Sequence, residues 1–249
     1  MYNGFARIYD ELMTDAPYEK WGAYIDEILR FNLAARESNT GEPPLVLDLA
    51  CGTGAMTLLL AKKGYDMIGV DASVDMLAAA QEKSYDEGQS ILFLAQDMRE
   101  LDLFGTIDAA VCVCDSLNYI LDEADLLTVF ERVRLFMNPG GVFIFDMNTE
   151  YKFKELLGSH SFEGNSVSGA AYSLDNVYDK ATGINEYRVL FTHENGDSFT
   201  EVHKQRAYKT DKIVNLLQKA GFCDVAVFHE YTKEPQKVDS ARISFVAKV

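Results

Sequence analysis

Apolar positions in the first 150 residues come in short unbroken runs, separated by stretches of helical spacing. Leu45-Val46-Leu47-Asp48-Leu49, Met67-Ile68-Gly69-Val70, Ile91-Leu92-Phe93-Leu94, Ile107 to Cys114 and Val142-Phe143-Ile144-Phe145 read as strands. Between them, helices are predicted over 54–63, from Ser73 through Ala78-Ala79-Ala80, and over roughly 122–137. Ser73 offers a capping oxygen and Asp75 a favourable first-turn charge. Gly64 and Asn138-Pro139-Gly140-Gly141 close two of these helices. Upstream, Trp21, Tyr24, Ile25, Ile28 and Leu29 share one stripe of a helix over 17–33, followed by a loop at 38–44. Strands that are apolar throughout and alternate with helices predict a parallel sheet covered on both faces. Right-handed crossovers then make the sheet doubly wound.

The pattern changes after about residue 158. Residues 171–179, 184–193 and 198–208 alternate polar and apolar, with turn residues at Ala181-Thr182-Gly183 and Asn195-Gly196. That predicts an antiparallel unit with one wetter face. The α/β pattern resumes with a helix capped by Thr210, with Ile213, Val214, Leu216 and Leu217 inward and its end at Gly221. Val225-Ala226-Val227-Phe228 and Ile243-Ser244-Phe245-Val246 are the last strands. The expectation is a Rossmann-like α/β core over 1–150 and 209–249, carrying an antiparallel β insert at 151–208.

Composition narrows the function. A chain of 249 residues with 48% hydrophobic and 25% charged positions has the make-up of a globular domain. No run approaches the ~18 apolar residues of a membrane helix. The N-terminus lacks a basic segment followed by an apolar core, so a cytoplasmic location is expected. The net charge of −16 is uneven: residues 1–124 hold 8 basic and 22 acidic side chains, residues 125–249 hold 15 and 17. A polyanion is repelled by the first half, so nucleic acid is a poor partner. A small basic face at Lys204, Arg206, Lys209 and Lys212 is the only feature in its favour. Cys51, Cys112, Cys114 and Cys223, and His160, His193, His203 and His229, lack metal-ligand spacing. No metal is expected, and the thiols read as small buried apolar groups.

The most informative stretch is Asp48-Leu49-Ala50-Cys51-Gly52-Thr53-Gly54, between a predicted strand and a predicted helix. Small residues there let the backbone turn sharply and approach a ligand. The spacing is not the G-x-G-x-x-G of dinucleotide binders, and no Walker lysine follows. Asp48 would oppose a pyrophosphate and suits a cationic group such as an ammonium. Asp71 ends the second strand, where an acid can accept hydrogen bonds from ribose hydroxyls. Asp97-Met98 follows the third, where a carboxylate beside a backbone N–H can read an adenine edge.

These three sites, in this order, resemble class I S-adenosylmethionine-dependent methyltransferases, and within them a small, mostly uncharacterised bacterial group with a tyrosine-rich N-terminal helix. The resemblance implies a seven-stranded sheet ending in an antiparallel hairpin. It implies that the Asp48–Gly54 loop, with Ala50, Gly52 and Gly54, holds the methionine part of S-adenosylmethionine. It implies that Asp71 holds the ribose, that Asp97 and Met98 hold the adenine, and that Met76 packs on the base. The family more often has glycine at the Ala50 position, and alanine is tolerated there if its φ is negative.

Methyl transfer from a sulfonium needs placement and water exclusion more than a catalytic triad, and none is visible. Asp115, after the fourth strand, is a candidate for orienting an acceptor or the cofactor's ammonium; Asn118, Tyr119, Asp146 and Asn148 are weaker candidates at the same mouth. Tyr2, Phe5, Tyr9, Tyr18 and Trp21 form an aromatic N-terminal segment; in similar proteins such a segment is a lid, and Tyr9 or Trp21 would touch the cofactor by cation–π attraction. In the insert, Tyr172, Tyr178, Tyr187, His203, Arg206 and Tyr208 are acceptor-pocket candidates. The expected activity is methyl transfer to N, O or C of a small or medium acceptor, by a monomer or dimer. An RNA methyltransferase and a non-catalytic cofactor-binding protein remain as alternatives, with an NAD oxidoreductase weakest.

Overall fold

The computed structural model describes residues 5–158, 160–165, 171–192 and 198–249, and the side chains among them outside 5–8 and 35–40. The N-terminal helices are α1 (Phe5–Leu12) and α2 (Tyr18–Thr40). The core then alternates β1 (Leu45–Leu49), α3 (Ala55–Lys62), β2 (Asp66–Asp71), α4 (Val74–Asp86), β3 (Leu92–Ala95), β4 (Ile107–Cys112), α5 (Glu123–Phe136) and β5 (Met137–Asn148). A four-stranded unit follows: β6 (Ser161–Asn165), β7 (Ala171–Asp179), β8 (Ile184–Thr192) and β9 (Ser198–Arg206). Helix α6 (Thr210–Ala220), β10 (Asp224–His229) and β11 (Arg242–Lys248) complete the chain.

The large sheet has seven strands in the order β10-β11-β5-β4-β1-β2-β3. Strands β1 to β5 pair in parallel, and β11 and β10 add antiparallel at one edge. Strand order reverses at β1, which pairs with both β2 and β4. A crevice opens beyond the strand tips at such a switch point.

Side chains alternate across the sheet and build a core on each face. Leu47, Leu49, Phe143 and Phe145 pack against α5 and α6 through Phe130, Val133, Ile213 and Leu217. Val46, Val111 and Ile144 pack against α2 and α3 through Ile25, Leu29, Met56 and Leu60. Asp48 belongs by parity to the second face, beneath α3.

Several boundaries differ from the sequence reading. Helix α2 runs to Thr40, into the expected loop. Strand β5 starts at Met137, because Met137 pairs with Ile107 and carries the Asn-Pro-Gly-Gly turn residues into an irregular strand start. Lys209, not Thr210, is the α6 cap residue, and it makes no side-chain capping bond. Strand β6 and a six-residue π-helical turn at Lys152–Leu157 carried no clear periodicity. Asn195-Gly196 and His193 lie outside the described residues. Among the described residues no helix is long and apolar enough to cross a membrane.

Candidate functional site

The turn after β1 is shaped by positive φ angles. Ala50 has φ 58°, Gly52 φ 55° and Gly54 φ 79°. The condition under which alanine would be tolerated without strain, a negative φ, is therefore not met: the turn holds Ala50 in the left-handed region, at a cost of about 1 kcal/mol relative to glycine. Nothing lies within 4 Å of the Cβ position of Gly52, so the turn leaves open space there.

Strand β2 delivers Asp71 beside this turn. Its Oδ2 accepts from the Gly52 N–H at 2.8 Å and its Oδ1 from the Ser73 N–H at 2.8 Å. Burial raises the Asp71 pKa, and these backbone bonds oppose the rise. The Ser73 hydroxyl accepts from the Met76 N–H at 3.3 Å and caps α4. After β3, Asp97 caps a short turn by accepting from the Arg99 N–H at 2.9 Å, and pairs with the Arg99 guanidinium at 2.6 Å. That guanidinium holds the Asp97 carboxyl below its usual value.

One crevice of about 930 Å³ joins these tips. That lies at the upper end of small-molecule sites, ~300–1,000 Å³. Tyr9, Ala50, Gly52, Asp71, Met76, Asp97 and Met98 all line it. So do Leu12 and Met13 from the α1 end, Cys114, Ser116 and Tyr119 after β4, and Tyr172, Tyr187, Val189, Phe191 and His203 from the smaller sheet. Helix α1 is tied over the crevice through Asp10, which accepts from Thr53 Oγ1 at 2.5 Å and pairs with Lys83 Nζ at 2.6 Å.

Four expected cofactor residues do not line the crevice. Asp48 is fully buried; its Oδ2 accepts from Thr57 Oγ1 at 2.5 Å, and its Oδ1 has no hydrogen-bond partner. Burial pushes its carboxyl up to about 7, the Thr57 bond opposes this and the Asp71 charge adds to it. Gly54 sits at the α3 N-terminus, where an added Cβ would stand 3.0 Å from Ala80 Cβ. Trp21 stacks on Tyr231 with centroids 5.0 Å apart and lies beneath the Arg242 guanidinium at 5.5 Å. Asp115, at φ 53°, is bound to Arg242 Nη2 at 2.6 Å and Gln205 Nε2 at 2.5 Å.

Asp115 belongs to a buried polar cluster behind the β4 tip. Arg242 Nη1 also pairs with Asp146, whose Oδ1 accepts from Tyr231 OH at 2.6 Å. Asp146 Oδ2 accepts from the Asp115 N–H at 3.1 Å. Three of the four weaker candidates are structural too, Tyr119 being the exception: Asn118 Nδ2 donates to the carbonyls of Asn148 at 3.1 Å and Arg206 at 2.8 Å, and its Oδ1 accepts from the Asn148 N–H at 2.9 Å. Asn118, Asp146 and Asn148 do not line the crevice.

From the insert, Tyr172, Tyr187 and His203 line the crevice, whereas Tyr178, Arg206 and Tyr208 do not. Tyr178 packs near Phe153, Arg206 donates to the Leu121 carbonyl at 2.8 Å, and Tyr208 to the Ile120 carbonyl at 2.6 Å. In the basic face, Lys204 and Lys212 pair with Glu186 at 3.2 Å and Glu123 at 3.0 Å. Tyr2 and the Phe5 side chain lie outside the described residues.

Residues 46–141 match the family model described as a methyltransferase domain. The chain is 34% identical to YqeM of Bacillus subtilis (strain 168), a methyltransferase by name, over 100% of this chain and 97% of that protein. It is 24% identical to the glycine/sarcosine N-methyltransferase of Halorhodospira halochloris over 90% of this chain and 83% of that one. Among solved structures, an S-adenosylmethionine-dependent methyltransferase from Clostridium acetobutylicum ATCC 824 superimposes with a TM-score of 0.86 at 31% identity, covering 100% of this chain and 98% of that chain.

Proposed function

The chain belongs to the class I S-adenosylmethionine-dependent methyltransferases, and on that premise we propose that it methylates a small-molecule acceptor held between the β4 tip and the smaller sheet. The convergence of Asp71, Asp97, Met98 and the Ala50–Gly52 turn on one crevice carries this reading.

S-adenosylmethionine supplies a methyl group made electrophilic by its sulfonium. The protein's part is to bind, orient and keep water out. The two Asp71 oxygens already accept from Gly52 and Ser73, which fixes the carboxylate for further acceptance from ribose hydroxyls. Asp97 and the Met98 N–H would hold the adenine edge, with Met76 against the base. The orphaned Asp48 Oδ1 supports a cationic ligand near β1. An ammonium there would stabilise the ionised carboxyl that burial alone disfavours. Tyr9 closes the crevice from α1. From the insert, Tyr172, Leu174, Tyr187, Val189, Phe191 and His203 line the acceptor side of the crevice.

A crevice volume within the range of small-molecule sites supports a small acceptor, as do relatives named for glycine and sarcosine. Titration calorimetry with S-adenosylhomocysteine tests the reading. Saturable binding in wild type, weakened in Asp71→Ala, is expected. Absence of binding to wild type would overturn it.

A further inference from the structure

On the acceptor side of the crevice, three side chains from different elements meet through their polar atoms. Tyr119 OH lies 2.6 Å from Tyr187 OH and 3.2 Å from His203 Nδ1. The Tyr187 and His203 rings stack, with centroids 4.8 Å apart and planes 12° from parallel. Tyr119 follows β4, Tyr187 is on β8 and His203 on β9. All three line the crevice.

A hydroxyl has one proton, so a chain of two phenols and an imidazole nitrogen has two directions. In one, Tyr187 donates to Tyr119 and Tyr119 donates to Nδ1. In the other, Nδ1–H donates to Tyr119, Tyr119 donates to Tyr187, and the Tyr187 proton turns outward. Passing from the first to the second takes in one proton at Tyr187 and places one on the imidazole. Around this chain the wall is apolar and aromatic, formed by Tyr172, Leu174, Val189 and Phe191.

Resting on the methyltransferase reading, we propose that Tyr187, Tyr119 and His203 form the acceptor subsite and proton outlet, and that the acceptor is a hydroxylated aromatic ring. The acceptor hydroxyl donates to Tyr187. As the acceptor oxygen forms its bond to the methyl carbon, the carbon–sulfur bond breaks and its electron pair stays on sulfur. The acceptor proton passes to Tyr187, the Tyr187 proton to Tyr119, and the Tyr119 proton to His203 Nδ1. The imidazolium then returns its proton to solvent. Burial lowers the His203 pKa, so the ring is neutral and able to accept at neutral pH. The flat apolar walls take the ring of the acceptor.

The probe is 4-nitrophenol, whose ionised form has its own visible absorption. It is titrated into the full-length protein saturated with S-adenosylhomocysteine, beside His203→Gln and Tyr119→Phe, with circular dichroism confirming the fold of each. Wild type is expected to bind the probe with its spectrum shifted toward the phenolate. His203→Gln should lose the spectral shift, and Tyr119→Phe should weaken probe binding roughly tenfold. S-adenosylhomocysteine affinity should stay unchanged in both. Wild type that binds S-adenosylhomocysteine but not the probe, or variants with wild-type spectra and affinity, would overturn the proposal. Failure of wild type to bind S-adenosylhomocysteine would instead overturn the cofactor reading, and this proposal with it.

Discussion

Asp48→Asn separates what stabilises the fold from what serves the site. Asp48 is fully buried, and one of its two oxygens lacks a partner. Burial carries its carboxyl from an ordinary 3.8 to about 7. The native state thus binds this proton more tightly than the unfolded chain. Its stabilising effect is complete below about pH 4 and is lost as pH rises to about 7. At about 1.4 kcal/mol per pH unit, this proton linkage lowers stability from its low-pH level by about 4 kcal/mol at pH 8 and about 2 kcal/mol at pH 5, where the native carboxyl is still protonated. The amide removes that linkage, and its carbonyl can keep the Thr57 bond. Its buried N–H₂ then lacks an acceptor, at a cost of about 1–3 kcal/mol independent of pH. The variant should be more stable than wild type by about 1–3 kcal/mol at pH 8, and near equal at pH 5. Urea unfolding at both values measures this. The same variant should bind S-adenosylhomocysteine more weakly at pH 8, through loss of the carboxylate's attraction for the ligand's ammonium across the β1 tip rather than of a contact. A stability difference that does not change between pH 5 and pH 8 would refute the reasoning.

Asp71→Ala should weaken S-adenosylhomocysteine binding by about 1–3 kcal/mol in calorimetry, since ribose hydroxyls lose a buried acceptor. Ala50→Gly should leave stability unchanged or raise it by up to about 1 kcal/mol in urea unfolding, because glycine takes the observed φ without strain. Arg242→Ala should cost about 3–5 kcal/mol of stability, by leaving buried Asp146 and half-buried Asp115 without their countercharge. That loss should be smaller at pH 5 than at pH 8, because an abandoned buried carboxyl is more readily protonated in acid.

The seven-strand core was legible because its strands are continuous apolar runs and its helices carry caps. That Asp71 and Asp97 line one crevice was legible because strand tips at a switch point open onto a common cleft. Asp48 was placed at the ligand too directly. Alternation along β1 sends it to the same face as Val46, beneath α3, and that parity was readable in the run. The φ of Ala50 was not, because local sequence does not report a left-handed alanine held by its surroundings. Arg242 was missed for a different reason: it meets Asp115 from 127 positions away, and no short motif spans that distance. Asp115 then looked like an acceptor contact when its charge is spent on Arg242. The Tyr119–Tyr187–His203 meeting likewise depends on how the smaller sheet docks, and alternation alone left half its aromatics ambiguous.

The decisive measurement is a crystal structure of the protein soaked or grown with S-adenosylhomocysteine. The ribose hydroxyls are expected on Asp71, the adenine between Met76 and the Asp97–Met98 turn, and the amino group toward the β1 tip. Density for the ligand in any other cavity, or the adenosine turned away from Asp71, would contradict it.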